Sequence, residues 1–152
     1  MQQVMIENLT KKQISGVTVM LPEDGTTYKE SFFEWSASVL TSVFDTNEVT
    51  GGVLKAWHHT PIFNEIETHV DKEMFYFISG TAIMLFVDVA DGKPVMASAQ
   101  MARILPGTQI IIDAGKGHFV AVAEGSDPIC AVVVAPRMDA PRMPLLETVT
   151  GI

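Results

Sequence analysis

The chain has 152 residues, 47% of them hydrophobic, and a formal charge of −8 with ten Lys and Arg in all. That length supports one domain with its own core, and scattered cations on an acidic chain exclude a reader of phosphate backbones, so no nucleic-acid partner is expected. No apolar run approaches a membrane span, the opening MQQVMIENLTKK lacks the pattern of a secretion signal, and the single cysteine, Cys130, lies in the apolar run ICAVVVA. A cytoplasmic protein without a membrane partner, carrying a buried reduced thiol, is the expectation.

Strand signals dominate along the chain. SGVTVML (15–21) ends at Pro22, and PEDGTTY is turn material. From 35 to 44 the odd positions are Trp35, Ala37, Val39, Thr41 and Val43, and serine dominates the even ones, which predicts a strand with one buried face. A helix over 28–40 is the alternative, because Phe32, Trp35 and Val39 also fit helical spacing. Strands are predicted over 51–57, 65–69 and 73–79, and TAIMLFVDV (81–89) is apolar on both faces, as a core strand is. After the hairpin turn VADGKPV come SAQMARIL (98–105), TQIIID (108–113), GHFVAVA (117–123) and ICAVVVA (129–135). The tail from Pro136 has three prolines in nine residues, and it is expected to drape over a neighbour or end loosely. Short strands and frequent turns predict an all-β barrel or sandwich over 1–152.

The stretch ETHVDKEMFYFISG (67–80) places Glu67, His69, Glu73, Phe75 and Phe77 at odd positions. On one unbroken strand all five face the same way. Carboxylates and a histidine before phenylalanines describe the mouth of a small ligand cavity. The adjacent pair His58 and His59 cannot serve one centre from a regular strand, so a rim or surface role is expected for them.

Two motifs here resemble those of the cupins. The first cupin motif ends His, three residues, Glu, six residues, Gly, and the chain has His69, Glu73 and Gly80 at that spacing. The second corresponds to Gly107, Asp113, Gly115 and His118, with aspartate where the motif has proline. The resemblance covers about 50–135. It implies a cupin-type double-stranded β-helix (jelly-roll) barrel flanked by the N-terminal strands and the C-terminal tail, often paired as a homodimer. It also implies a metal centre at His69, Glu73 and His118. The motif's first histidine falls at Glu67, which becomes a candidate fourth ligand; its opening glycine falls at Pro61, and the closing asparagine of the second motif at Val122. Such nitrogen and oxygen donors suit Mn²⁺, Fe²⁺, Ni²⁺ or Zn²⁺. A metal-free polar pocket remains the alternative.

Within that group the run EMFYFISGTAIMLFVDVADGKPV, then ARILPGTQIII and GKGH, is similar in order to the ureidoglycolate lyases. Their usual Trp before the histidine is Gly117 here, and their following His-Pro is Phe119-Val120. The resemblance implies a carbon–nitrogen lyase acting on a small hydroxy-carboxylate compound, with His69, Glu73 and His118 as catalytic residues. Phe75 and Phe77 would line its pocket. Arg103 and Lys116 are the candidate cations for a substrate carboxylate, with Lys55 as a third. Another metal-dependent cupin enzyme, such as a dioxygenase or isomerase, and a non-catalytic small-molecule binder are the competing readings.

Overall fold

The computed structural model describes residues 1–152 as strands joined by turns, with one short 3₁₀ turn at Pro22–Asp24. No helix is long and apolar enough to cross a membrane. The strands are β1 (Gln2–Val4), β2 (Ile6–Asn8), β3 (Val17–Met20), β4 (Thr26–Lys29), β5 (Glu34–Ala37), β6 (Val49–Ala56), β7 (Ile62–Glu67), β8 (Glu73–Ser79), β9 (Ala82–Ala90), β10 (Lys93–Ile104), β11 (Gln109–Ile112), β12 (Gly117–His118), β13 (Val122–Ala123), β14 (Ile129–Pro136) and β15 (Arg142–Gly151). The larger sheet runs β1-β15-β7-β12-β9-β10-β2, with β13 also on β9. The smaller runs β3-β11-β8-β14-β6, and β4 and β5 pair only with each other.

The apolar run of β9 explains the layering. Ala82, Met84 and Phe86 face the smaller sheet and pack with Phe75, Phe77, Ile110 and Ala131. Ile83, Leu85 and Val87 face the other way and pack with Ile66, Met101 and Val149. Both faces of the strand are covered, so its sequence shows no alternation. The second cluster is enclosed because the larger sheet curls on itself. β1 lies parallel to β15 and β2 parallel to β10, so the segment 2–8 closes both edges of the sheet at once. The closure is tight: a Cβ on Gly151 would fall 2.8 Å from both Ile6 Cδ1 and Met101 Sδ.

Several expectations are corrected here. The strand expected over 35–44 stops at Ala37, and the hairpin β4–β5 has no buried residue at all. Trp35 is 65% exposed. The alternation is real, but it runs along an arm that pairs only with itself, so neither face meets the core. No helix forms over 28–40. The prolines of the tail do not prevent pairing: β15 lies antiparallel to β7, and its register shifts between Pro144 and Val149, where the ladder loses a donor. The expected strand 117–123 is two short pieces, β12 and β13. Cys130 is a free thiol, but only half-buried. Finally, 67–79 is not one strand. β7 ends at Glu67 in one sheet and β8 begins at Glu73 in the other, so the side chains meet across the barrel rather than along a strand.

Candidate metal centre

Three chain segments converge at one end of the space between the sheets. Glu67 ends β7 and lies opposite His118 of β12 in register. Glu73 opens β8, and His69 sits in the connection between β7 and β8. Buried Asp71 fixes that connection, because its carboxylate accepts from the backbone N–H of Lys72 and of Asp45, both at 2.7 Å. The turn before β12 fixes the other side. Gly115, at φ +75°, donates its N–H to the carbonyl of His69 at 2.9 Å. A side chain at that left-handed position would be strained.

The two histidines are held alike. His69 Nδ1 lies 3.2 Å from the carbonyl of Asp139, and His118 Nδ1 lies 3.0 Å from that of Lys116. A carbonyl only accepts, so each Nδ1 carries a hydrogen and each Nε2 points inward, offering a lone pair when the ring is neutral and a proton to the carboxylates when it is charged. Both Nε2 atoms face the same carboxylates. His118 Nε2 is 3.0 Å from Glu73 Oε2 and 3.9 Å from Glu67 Oε1. His69 Nε2 is 3.4 Å from Glu73 Oε2 and 4.0 Å from Glu67 Oε1. The 3.4 Å contact brings the charges together but is misaligned for a hydrogen bond, and His69 Nε2 is buried without a partner.

Acceptors crowded in this way call for a positive charge between them. The protons show the same demand. The Glu73 carboxylate raises the pKa of His69, against the opposing effect of burial. Burial alone would raise Glu73, but the two imidazoles outweigh it and hold its pKa at about 2. A divalent cation answers the same need. One donor atom each from Glu67, His69 and His118 lies within 4.8 Å of the others. The donor set of imidazole and carboxylate, with each ring fixed through its second nitrogen, fits a Mn²⁺, Fe²⁺, Ni²⁺ or Zn²⁺ site.

A cleft of about 120 Å³ opens on these groups, walled by Leu54, Phe75, Met84, Val120 and Val133. Phe75 therefore lies where the sequence reading puts it. Phe77 is fully buried and stacks behind Phe75, with ring centroids 5.9 Å apart, so it backs the wall without lining it. The expected cations are elsewhere. Arg103 pairs in register with Ile83, whose face is opposite to that of cleft-lining Met84, and its guanidinium binds Glu124 at 2.6–2.9 Å. Lys116 is buried with Nζ 2.6 Å from Asp88 Oδ1; its carbonyl, not its charge, reaches the centre. Lys55 is exposed on edge strand β6. His58 and His59 are exposed at the rim, as expected. The roles of Asp71, Asp88 and the Asp139 carbonyl were missed, since backbone carbonyls leave no mark in a sequence.

Gly117 has no room for a side chain. A Cβ there would lie 2.6 Å from Ile66 Cδ1 and 2.8 Å from the Val87 carbonyl. The tryptophan of the lyase pattern is therefore excluded at this position.

No protein-family model matches the chain, and no curated protein matches it in sequence. Solved structures match in shape. A dTDP sugar isomerase from Desulfovibrio desulfuricans superposes with a TM-score of 0.58 at 10% identity, over 88% of this chain and 87% of that one. RmlC from Streptococcus suis, solved with dTDP-D-xylose, gives 0.53 at 11% identity, over 88% and 70%. The chain has the cupin fold. It is the RmlC-like barrel that the two motifs led one to expect. Oxalate decarboxylase from Bacillus subtilis also matches, with a TM-score of 0.46 at 19% identity over 64% of this chain; the match spans 24% of that protein's length.

Proposed function

We propose that this cupin holds one divalent metal ion at Glu67, His69, Glu73 and His118 and acts as an enzyme on a small oxygenated compound in the adjoining cleft. The observation that carries the reading is the pair of inward Nε2 atoms, one of them buried without a partner, set against two carboxylates. A divalent ion held there would supply Lewis acidity and lower the pKa of a bound hydroxyl. The chain's own contribution is to fix both imidazoles through their Nδ1 atoms and to shield the cleft with Phe75, Met84, Val120 and Val133. At about 120 Å³ the cleft alone is far below the ~300–1,000 Å³ of drug-sized ligand sites, so it takes only a small head group.

The reaction we favour within this reading is carbon–nitrogen cleavage of a compound of the ureidoglycolate type, supported by the order of motifs from Glu73 to His118. It releases glyoxylate and urea: the carbinol hydroxyl loses its proton, the carbon–nitrogen bond breaks, and the leaving nitrogen gains a proton. No Lys or Arg lines the cleft, so a substrate carboxylate would rely on the ion for charge. The 3.0 Å contact of His118 with Glu73 favours a second, metal-free reading in which this pair moves the proton.

Elemental analysis after incubation with Mn²⁺, Fe²⁺, Ni²⁺ or Zn²⁺ separates these readings. About one equivalent in the wild type and none in His118→Ala is expected; equal content in both removes the ligand assignment. Stoichiometric iron would favour an oxygenase. No metal and no urea release from ureidoglycolate would leave a binding protein. We also propose a homodimer, because Val53 on the outer sheet face and Phe32 and Trp35 on the arm are 65%, 84% and 65% exposed. Sedimentation at a single monomer mass would remove it.

A further inference from the structure

A larger groove of about 360 Å³ lies beside the metal cleft and contains none of the four candidate ligands. It occupies the seam between the two sheets, where edge strand β6 runs into Trp57 and faces the start of β7 and residues 119–122. Its lining is mostly apolar, with Trp57, Ile62, Phe63, Phe119 and Val120 as the main surfaces and Lys55 and His59 as the polar exceptions. Trp57 is 67% exposed, a costly position for the largest side chain unless something covers it.

The walls are held before any ligand arrives. An isolated bridge ties His58 to Ala123, with the Ala123 N–H donating to the Trp57 carbonyl at 3.2 Å. Phe119 meets Phe63 edge-on at 6.4 Å between centroids, and the Arg142 guanidinium sits 5.2 Å from the centre of its ring. Val120 lines both the groove and the metal cleft, so one side chain separates them.

We infer that the groove is the second half of the substrate site: the cleft takes a metal-binding head, and the groove takes one ring-sized apolar substituent carried by it. The inference rests on the metal reading above, not on the ureidoglycolate assignment, with which it competes; it gives the substrate class as a small hydroxy acid with an aryl or short alkyl arm. The sizes fit this division, because the cleft alone has room for only a few heavy atoms, whereas the groove is in the range of ordinary ligand sites. The shared wall sets the occupant: an apolar group attached to a head in the cleft has only the Val120 side chain between it and the groove.

The test compares two 2-hydroxy acids with the same head, glycolate and mandelate, titrated calorimetrically into manganese-loaded protein. Mandelate is expected to bind roughly tenfold tighter or more, the scale of small apolar groups in an apolar pocket. Trp57→Ala and Ile62→Ser, both on partly exposed side chains, should each drive the mandelate-to-glycolate ratio towards one. Equal affinities in the wild type, or no binding of either acid, overturn the inference and leave the metal site standing. An unchanged ratio in both variants, or an equal fall for both acids, overturns it as well. So does a change of oligomeric state in Trp57→Ala with mandelate affinity intact, which would make the groove a subunit contact. A wild type that takes up no manganese removes the metal reading and this inference together.

Discussion

Strand β8 and the arm 26–37 are both rich in aromatic residues, yet they meet opposite fates. β8 buries Phe75 and Phe77 at 6% and 0% exposure, whereas the arm leaves Phe32 and Trp35 at 84% and 65%. Neighbours make the difference. β8 has β11 on one side and β14 on the other, and β9 lies opposite it in the barrel, while β4 and β5 have only each other. Alternation gives a strand two faces. Pairing on both edges and a facing layer decide whether one of those faces is dry.

The largest effect that would break this contrast is in the wall. Phe77→Ala should cost about 3–5 kcal/mol by urea denaturation, since it empties a fully buried site. A loss below 1 kcal/mol would mean that the wall is as loose as the arm. The next effect concerns how the wall holds the centre. Lys116→Met keeps the buried stem but removes the ion pair with Asp88 that pins the turn whose atoms reach both histidines. Manganese affinity should fall by about 10–100-fold, the range for losing support behind a ligand. Unchanged affinity, or an unaltered manganese resonance spectrum, would show that backbone hydrogen bonds hold the turn alone.

A smaller effect is read by pH. The raised His69 pKa contributes stability that is full below its ordinary 6.5 and is lost as pH rises through the folded value. Glu73, depressed to about 2, contributes stability that is full above its ordinary 4.5 and is lost as pH falls towards 2. Metal-free protein should therefore draw most from this pair between about pH 4.5 and 6.5. Metal affinity should rise with pH through the His69 titration, because the ion and the proton compete for Nε2. A flat metal affinity across that range would argue against His69 as a ligand. The smallest effect is on the arm, where Trp35→Ala should change the stability of dilute monomer by no more than about 0.5 kcal/mol. A loss that grows with protein concentration would place the arm against a second copy.

The barrel and the spacing of the candidate ligands were legible because they follow from local pattern. Glu73 opens a short strand, His118 ends one and His69 sits in a connection, and the turns around them are fixed by residues close in sequence, such as Asp71 and Gly115. The supposed substrate cations were not legible. Whether Arg103 faces the cleft depends on its register against Ile83, twenty residues away, and on the presence of Glu124. Strand β15 was hidden by Pro144, which the ladder accommodates with a register shift that no local pattern announces. The closure by β1 and β2 was equally silent, since each pairs in parallel with a strand more than ninety residues distant.

That closure has a price elsewhere. One seven-residue clasp caps both rims of the larger sheet. Loss of the clasp would therefore bare two rows of unsatisfied amides and carbonyls in a single step, beside the apolar cluster that it had enclosed. Protection of the larger sheet's edges is thus concentrated in one short ribbon. A nick there would be far more damaging than one in the longer, more conspicuous arm.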